Sequence, residues 1–384
     1  MSAKIKSQNK SSLYIGLMSG TSADGVDLAL VDFNDDAGQL IASYFRPYPQ
    51  AIRETITSLY VPGDNEIDRF GALDKQLASY FADSINAFLE QQNLSAEQIQ
   101  AIGNHGQTIR HRPQGDYPFT RQIGCCQTLA CITGIRVVGQ FREKDMALGG
   151  QGAPLVPAYH LAIFANDDVD VCVVNIGGIS NISFLPANKH TAVCGFDTGP
   201  GNALLDDWYR LHHPRCEQGI DLDGRWAASG AVEANLLSLL KTDPYFTLAF
   251  PKSTGREYFH LDWLQQRLQQ YTTIHGDLTP ERVQATLLAL TVDTIADAIE
   301  KLTPHARVIV CGGGANNSRL MQQLTQRLAD FDVINSIAIG VDNESLEALV
   351  FAWLARQYDL GLPSSLPSVT GATTACTLGV EYQP

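Results

Sequence analysis

The sequence is poor in basic residues. Its 384 residues include 27 lysines and arginines against 41 aspartates and glutamates, which gives a net charge of −14. This excess of negative charge argues against a surface that binds nucleic acid or an anionic membrane. It does not exclude a nucleotide ligand, because surface charge is screened over about 8 Å at physiological salt and local groups then decide the affinity for phosphate.

Paired cysteines and long apolar runs are also missing. The eight cysteines form no C-x-x-C pair, and several lie inside apolar runs, where cysteine behaves as a small hydrophobe. No segment has about 18 unbroken apolar residues, and residues 1–12 contain no apolar core of signal-peptide length. We therefore expect reduced thiols in a soluble, cytoplasmic protein.

Two common nucleotide-binding motifs are absent. Without a G-x-x-x-x-G-K-[ST] loop a P-loop protein is disfavoured, and without a G-x-G-x-x-G opening the first helix a Rossmann domain is disfavoured. The length and the 45% content of hydrophobic residues nevertheless predict two globular domains. We expect an N-terminal lobe of residues 1–139 plus 358–384, and a C-terminal lobe of residues 140–357.

The N-terminal half opens with a predicted β-hairpin. An apolar strand over residues 14–18 is followed by a glycine- and hydroxyl-rich turn and by an alternating return strand. The backbone N–H groups of this turn and the hydroxyls of Ser19, Thr21 and Ser22 suit phosphate oxygens, and its glycines permit positive φ or close approach of a ligand. Asp24 and Asp27 fit a phosphate that carries Mg²⁺. The alternative is an ordinary glycine-containing hairpin.

Two later segments carry polar groups. Residues 104–108 (NHGQT) follow a predicted strand and would lie at its carboxyl end, where open α/β sheets bind ligands. His105 is then either a binding residue or a satisfied structural histidine. Arg142 and the glycine-rich loop 149–154 suggest a loop that closes on a polar ligand. The alternatives are a linker for the loop and a surface ion pair with Glu143 or Asp145 for the arginine.

The C-terminal half repeats the layout. A second hairpin over residues 170–185 precedes a strand that ends in Asp197 to Asn202 and a helix, an arrangement that binds anions through backbone donors and the helix dipole. Asp197 would face that anion, so we expect a metal or proton-transfer role for it. Gly312 to Asn317 follow another strand, and three consecutive glycines allow a flat ring such as adenine to lie on the backbone.

Three glycine turns in two hairpin-led halves predict an α/β fold of the two-lobed actin-like/hexokinase-like (ribonuclease H-like) ATPase class, with duplicated mixed sheets flanked by helices. Over essentially its whole length the chain also resembles the anhydro-N-acetylmuramic acid kinase family. The resemblance lies in GLMSGTSADGVD (Gly16–Asp27), NHGQT (Asn104–Thr108), GGQGAPLVPA (Gly149–Ala158), NIGGISNIS (Asn175–Ser183), GFDTGPGNALLD (Gly195–Asp206), DGRWAASG (Asp223–Gly230), PKSTGRE (Pro251–Glu257) and VCGGGANN (Val310–Asn317). Gln140 departs from the acidic residue expected before Phe141.

The resemblance implies an unusual kinase reaction in peptidoglycan recycling. ATP, 1,6-anhydro-N-acetylmuramic acid and water give N-acetylmuramic acid 6-phosphate and ADP. The 6-oxygen is tied in an internal ether, so water must open the ring at the anomeric carbon while that oxygen takes the γ-phosphoryl group. This requires a carboxylate that activates water and a charge clamp on the phosphates.

The resemblance also implies roles for individual residues and a homodimeric state. Asp197 corresponds to the general base, and Glu347 would help to place the water or the sugar. Arg142 suits the lactyl carboxylate, since a guanidinium binds a carboxylate through two bonds. The full assignments are ATP for Gly20, Thr21, Ser22, Ala23, Asp24, Gly25, Val26, Asp27, Gly199, Gly201, Asn202, Gly312, Gly313 and Gly314, Mg²⁺ for Asp24, and sugar for His105, Gln107, Arg142 and Gln151.

Two other functions use similar features. An ordinary N-acetylhexosamine or other sugar kinase, which phosphorylates a free hydroxyl, needs the same ATP site and an aspartate base. A non-catalytic actin-like ATPase that switches a partner protein would need a further peptide-binding domain or a large apolar surface, and the chain has no room for such a domain.

Overall fold

A computed structural model describes residues 11–35, 38–339 and 346–384. The chain forms two compact units, one of Met1–Ile163 with Glu347–Pro384 and the other of Phe164–Leu346. In the described residues no helix is both long and apolar enough to cross a membrane.

Runs of strands are followed by runs of helices along the chain. The strands are β1 (Leu13–Ser19), β2 (Gly25–Asp32), β3 (Gln39–Pro47), β4 (Ile99–Arg112), β5 (Phe119–Ile123), β6 (Val137–Gly139), β7 (Val171–Ile176), β8 (Ile179–Leu185), β9 (Cys194–Pro200), β10 (Arg307–Cys311), β11 (Asp332–Asn335) and β12 (Val380–Tyr382). The helices are α1 (Gln50–Ser58), α2 (Glu66–Gln91), α3 (Cys126–Thr133), α4 (Glu143–Ala147), α5 (Val156–Phe164), α6 (Ala203–His212), α7 (Arg225–Ser229), α8 (Ala234–Lys241), α9 (Leu261–His275), α10 (Pro280–Leu302), α11 (Ser318–Arg327), α12 (Leu346–Leu360) and α13 (Pro367–Thr370).

The two sheets share one strand order. In the first unit the order is β12-β6-β4-β1-β2-β3, with β5 paired to β4, and in the second it is β11-β10-β7-β8-β9. Each sheet contains an antiparallel three-stranded meander, which is β1-β2-β3 in the first unit and β7-β8-β9 in the second. The first strand of each meander continues the sheet through two parallel pairings, β1 with β4 and β4 with β6, or β7 with β10 and β10 with β11. The two mixed sheets of matching strand order, together with the helices, confirm the predicted α/β fold with duplicated sheets.

Apolar residues of strands and helices form a separate core in each unit. In the first, Ile15, Leu28 and Ile102 of the sheet pack with Phe81 and Phe88 of α2. In the second, strands β7, β8 and β10 pack with α6, α8, α9 and α10. The apolar spacing that predicted the two longest helices is therefore explained by burial of one face of each.

The first unit includes segments that we expected in the C-terminal lobe, residues 140–163 and 347–357. Helix α12 lies directly on β1 and β4. A Cβ on Gly16 would lie 1.8 Å from the Ala348 carbonyl oxygen, and a Cβ on Gly103 would lie 1.9 Å from the Phe351 carbonyl oxygen. These two glycines are register partners across the strands. Only paired glycines allow the helix backbone to approach so closely.

Two predicted strand ends also differ. Strand β4 continues through Asn104–Thr108 to Arg112, because the partner strand β5 pairs with residues 107–112. Strand β9 likewise includes residues 197–200, which pair with β8. The polar residues of both segments are therefore held in sheets rather than in loops. The apolar spacing of residues 345–356 predicts a helix, which corresponds to α12, and its expected first residue, Ser345, lies outside the described part of the chain.

Candidate functional site

The β1–β2 turn of the first unit presents short polar side chains. Thr21, Ser22 and Asp24 are exposed, and the Ser22 hydroxyl donates to the Asp24 carboxylate at 2.8 Å. The Ala23 N–H donates to the Gly20 carbonyl at 3.1 Å, which closes the turn. Positive φ falls on Ala23 (50°), and neither Gly20 nor Gly25 has it.

The rest of the predicted phosphate segment lies in β2. A Cβ on Gly25 would come within 2.5 Å of the Arg46 carbonyl oxygen and the Phe45 ring, so this glycine is required by packing of β3. The Val26 side chain is fully buried in the core, and Asp27 is half-buried. Only the backbone of Val26 could contact a phosphate.

A network of hydrogen bonds fixes the position of the β1–β2 turn. The Ser19 hydroxyl is 2.7 Å from the Tyr48 hydroxyl and 2.5 Å from Gln107 Oε1, so it is not the exposed donor that we expected. Gln107 Nε2 donates to the Gly20 carbonyl at 3.0 Å, and Tyr60 donates to the Thr21 carbonyl at 2.9 Å. The Gln107 side chain is fully buried, which favours a positioning role for it.

His105 and Arg142 form a buried pair in the same unit. The guanidinium donates to His105 Nε2 from Nε at 3.2 Å and from Nη2 at 2.9 Å, and it donates to the Gly152 carbonyl at 2.7 Å. His105 Nδ1 lies 2.8 Å from the Gly106 carbonyl, which makes it the protonated nitrogen. Burial and the adjacent Arg142 charge hold the pKa of His105 well below 6.5, so the ring is neutral.

Glu347 stands in the first turn of α12 and interacts with the same arginine. Burial raises its pKa, the Arg142 charge opposes that rise, and the Asp24 charge adds to it. Burial lowers the pKa of Arg142 to about 10, and the charges of Glu347 and Asp145 oppose this. The structure thus brings Asp24, Arg142 and Glu347 into one electrostatic group within the first unit.

The glycine-rich loop 149–154 is fixed by a buried carboxylate. Asp145 is fully buried and accepts from the Gly152 N–H at 2.8 Å and from the Thr370 hydroxyl at 2.7 Å. The Gln151 N–H donates to the Thr370 carbonyl at 2.8 Å, while the Gln151 side chain is exposed. Gln151 is therefore a side chain on an anchored loop, which suits ligand contact better than a linker.

In the second unit, glycines distant in sequence meet at the end of β7. A Cβ on Gly201 would lie 2.4 Å from the Gly177 carbonyl oxygen, and one on Gly312 would lie 2.2 Å from Asn175 Oδ1. The Asn202 side-chain amide donates to the Ile176 carbonyl at 3.0 Å. The second and third predicted glycine turns are therefore neighbours, as a shared ligand would require.

The anion site predicted at the start of α6 has its donors in use. The N–H groups of Gly201 and Ala203 donate to the Gly178 carbonyl at 3.0 Å, and that of Asn202 donates to the Gly177 carbonyl at 2.8 Å. These N–H groups therefore bind the carbonyl groups of the β7–β8 turn, which face the start of α6, and are not free to bind an anion. Gly199 is also set by packing, since its φ is 148° and a Cβ there would lie 2.8 Å from the Phe246 ring.

The Gly312–Gly314 segment leaves one open glycine. A Cβ on Gly314 would lie 2.3 Å from the Ile176 side chain, whereas one on Gly313 would have its nearest atom, Asn202 Nδ2, at 3.9 Å. Gly313 is exposed. A flat ring could therefore lie over Gly313, while its two neighbours are closed off by packing.

Asp197 lies in β9 with one carboxylate oxygen engaged. Its Oδ2 accepts from the Ser253 hydroxyl at 2.8 Å and from the Thr254 N–H at 3.0 Å. Burial raises the pKa of Asp197, and these two hydrogen bonds oppose the rise. Among the described residues Oδ1 has no hydrogen-bond partner. The carboxylate is thus oriented by one oxygen, and the other can accept a proton.

The segment that orients Asp197 also brings an arginine to the β7–β8 turn. Arg256 Nε lies 3.2 Å from the position that a Cβ on Gly178 would occupy. Its guanidinium is exposed and has no hydrogen-bond or ion-pair partner within the described ranges of the chain. The two basic residues of PKSTGRE suit a phosphate or sugar contact, and the structure shows which turn the arginine adjoins.

Some positioning residues could not be found from the sequence. Tyr48 and Asp145 act through contacts with residues far along the chain, and Thr370 lies in a Ser- and Thr-rich tail. For Asp145 the one available signal is an acidic residue within a segment dense in glycine. The exposed and buried acidic residues of that segment look alike in sequence.

The comparisons with known proteins agree with one another. The family model for anhydro-N-acetylmuramic acid kinase matches residues 12–384. The chain is 56% identical over 387 residues to the anhydro-N-acetylmuramic acid kinase of Colwellia psychrerythraea, with 97% of each chain covered. It is 48% identical over 374 residues to that of Shewanella denitrificans, with 97% and 99% covered. It is 48% identical over 383 residues to that of Haemophilus influenzae, with 97% and 98% covered.

Proposed function

Since the chain belongs to the anhydro-N-acetylmuramic acid kinase family, we propose that it opens 1,6-anhydro-N-acetylmuramic acid with water and transfers the γ-phosphoryl group of ATP to the released 6-oxygen. The products are N-acetylmuramic acid 6-phosphate and ADP, in peptidoglycan recycling. The observation that carries the proposal is the family match over residues 12–384. A cytoplasmic location and a homodimer are part of the proposal.

Asp197 is the proposed general base. Its raised pKa brings it closer to the pH at which a carboxylate removes protons efficiently, and Ser253 and Thr254 fix its orientation. Oδ1 would take the proton from the water that attacks the anomeric carbon. Transfer of the phosphoryl group neutralises the departing 6-oxygen, so no separate acid is required.

The first unit supplies the proposed contacts to the sugar. Arg142 would bind the lactyl carboxylate, with His105 holding the guanidinium in place. The exposed Gln151 amide would contact polar groups of the sugar, and Glu347 would help to place the sugar or the water. Gln107 would act indirectly, because it holds the Gly20 carbonyl.

Each unit is proposed to contain turns with groups that suit ATP. The β1–β2 turn would bind the β- and γ-phosphates through its N–H groups and hydroxyls, and Arg256 would add a positive charge beside Gly178. Gly313 would lie under the adenine ring. Thr21, Ser22, Arg256 and Gly313 are exposed, which supports the assignment.

Asp24 is the proposed residue for Mg²⁺. Within the described residues no group of three or more His, Cys, Asp or Glu side chains could form an all-protein metal site. Mg²⁺ on nucleotides is usually held by one or two carboxylates together with waters and phosphate oxygens, so a single exposed carboxylate beside two hydroxyls fits it. The ion would neutralise charge on the phosphates.

An ordinary sugar kinase is the main competing function, and isotope-labelled water separates the two. The purified protein is incubated with ATP, Mg²⁺ and the anhydro-sugar in water enriched in heavy oxygen. We expect one solvent oxygen at the anomeric carbon of freshly formed product, measured before anomeric exchange. A kinase that phosphorylates only N-acetylmuramic acid or N-acetylglucosamine, and leaves the anhydro-sugar intact, would contradict the proposal.

A further inference from the structure

The strand that carries Asp197, β9, is the outer strand of the second sheet. On its free side an outer strand has backbone N–H and C=O groups with no neighbouring strand to bind them. In Asp197 both backbone groups are bound by residues 245–254, which we call the covering segment. The Asp197 N–H donates to the Lys252 carbonyl at 3.0 Å, and the Tyr245 hydroxyl donates to the Asp197 carbonyl at 2.7 Å. The covering segment thus replaces a further strand at this residue.

Tyr245 and Lys252 also hold each other. Lys252 Nζ donates to the Tyr245 carbonyl at 3.0 Å and lies 4.5 Å from the centre of the Tyr245 ring. The tyrosine is buried, and burial together with the Asp197 charge raises its pKa. Its hydroxyl therefore stays protonated at neutral pH and remains a donor to the Asp197 carbonyl.

A buried carboxylate fixes the start of the covering segment. Asp243 Oδ1 accepts from the Tyr245 N–H at 3.0 Å and from the Tyr258 hydroxyl at 2.9 Å. Its Oδ2 accepts from the Trp263 indole at 2.9 Å and from the Arg267 guanidinium at 3.0 Å. Since Trp263 and Arg267 belong to α9, Tyr245 is anchored to that helix on one side and to Asp197 on the other.

We propose that Tyr245 is a positioning residue for the general base. Its hydroxyl and the Lys252 carbonyl fix the backbone of Asp197, while Ser253 and Thr254 of the same segment bind Oδ2. Because the backbone and one oxygen are both held, the carboxylate cannot rotate freely and Oδ1 keeps one direction. The inference rests on the proposed function, in which Oδ1 takes the proton of the attacking water. The role requires no contact between Tyr245 and the substrate.

Tyr245→Phe tests this role, since it removes the hydroxyl and keeps the ring. Tyr271→Phe is the matched control, because Tyr271 is also 5% exposed and lies in the same core. We expect Tyr245→Phe to lower kcat about fivefold with KM for ATP and for the anhydro-sugar unchanged, since one hydrogen bond that positions the base is lost. Tyr271→Phe should keep the parent kcat. An equal loss of kcat in both variants, or a raised KM with the parent kcat in Tyr245→Phe, would overturn the proposal.

A double-mutant cycle separates positioning of the base from a general weakening of the fold. In the Asp197→Asn background there is no base to position, so Tyr245→Phe should change the remaining kcat by less than about twofold. A loss of about fivefold in both backgrounds would show that Tyr245 acts independently of Asp197, and the proposal would be wrong.

Amide hydrogen exchange gives a readout that does not depend on kinase activity. Peptides that contain Asp197 should exchange about fivefold faster in Tyr245→Phe than in the parent or in Tyr271→Phe, because the bond of the Asp197 N–H to the covering segment protects it. Unchanged exchange in these peptides would overturn the proposal. Near-normal turnover of Asp197→Asn would instead contradict the base assignment of the proposed function, and the exchange rates alone would then decide whether Tyr245 holds this residue.

Discussion

His105 Nε2 accepts hydrogen bonds from two nitrogens of the Arg142 guanidinium, at 3.2 Å from Nε and 2.9 Å from Nη2. The histidine is neutral and buried, so it acts as a fixed acceptor that orients a positive charge. We predict that His105→Leu raises KM for the anhydro-sugar about tenfold, because Arg142 loses one of its two anchors. ATP affinity should remain unchanged.

His105→Gln is the matched variant, since its amide oxygen can accept from the guanidinium, and it should recover part of the loss. Because the His105 pKa is well below 6.5, the parent protein should show no change in sugar KM from titration of this ring between about pH 6 and 8. A rise in ATP KM instead of sugar KM would show that His105 positions the nucleotide.

Asp197→Asn tests the base. The side chain keeps its shape and can still accept from Ser253 and Thr254, but it cannot take a proton from water. We predict retained binding of ATP, measured by calorimetry, and a kcat lower by roughly 10²–10⁴-fold. Ser253→Ala should have a much smaller effect, because the Thr254 N–H remains. Near-normal turnover of Asp197→Asn would refute the assignment.

Arg256 adjoins Gly178 and has no hydrogen-bond or ion-pair partner among the described residues, and we expect it to contact the terminal phosphate. Arg256→Ala should weaken binding of a non-hydrolysable ATP analogue by about tenfold while ADP affinity changes little. Arg215→Ala, at another exposed position in the same unit, controls for the loss of charge. If both nucleotides weaken equally, the guanidinium does not distinguish the terminal phosphate.

Gly313 and Gly314 allow a test of the adenine position with adjacent residues. A Cβ on Gly314 collides with Ile176 at 2.3 Å, so Gly314→Ala should destabilise the fold by about 1–3 kcal/mol. A Cβ on Gly313 meets nothing closer than 3.9 Å, so Gly313→Ala should have the same melting temperature as the parent protein. It should nevertheless bind ATP more weakly. Unchanged ATP affinity in a stably folded Gly313→Ala variant would place the ring elsewhere.

The sequence was most informative where local chemistry determines structure. The two hairpins follow from apolar alternation and short turns, and the long helices follow from their apolar spacing. Gly16 shows the limit, because its role depends on Gly103 and on a helix that begins some 330 residues later. Periodicity cannot reveal such a partner, so residues 347–357 were expected in the other lobe.

The sequence indicates the segments of the candidate site, but it does not indicate how each side chain within a segment is placed. Ser19 and Thr21 are both hydroxyl residues of one motif, yet Ser19 is buried against Tyr48 while Thr21 is exposed. Gly201 and Gly313 are both turn glycines, but only Gly313 faces open space. In each case the burial of the side chain, or the space above the glycine, depends on tertiary neighbours.

His160 should make the stability of the protein depend on pH. It is fully buried in α5, and burial lowers its pKa from 6.5 to about 3. The unfolded chain therefore binds a proton that the folded chain does not, between about pH 6.5 and pH 3. The stability present above pH 6.5 is lost progressively as the pH falls through this window, and the loss from this residue between pH 7 and pH 5 is about 2 kcal/mol.

Urea unfolding of the parent and of His160→Gln at pH 7 and pH 5 measures this contribution. Glutamine does not titrate, so the variant should lose about 2 kcal/mol less than the parent between the two pH values, even if it is less stable at both. Contributions from other groups cancel in this difference of differences. His190→Gln, at an exposed position, should match the parent. If His160→Gln and the parent lose equal stability on acidification, His160 is protonated in the folded protein or accessible to water, and its burial has no electrostatic cost.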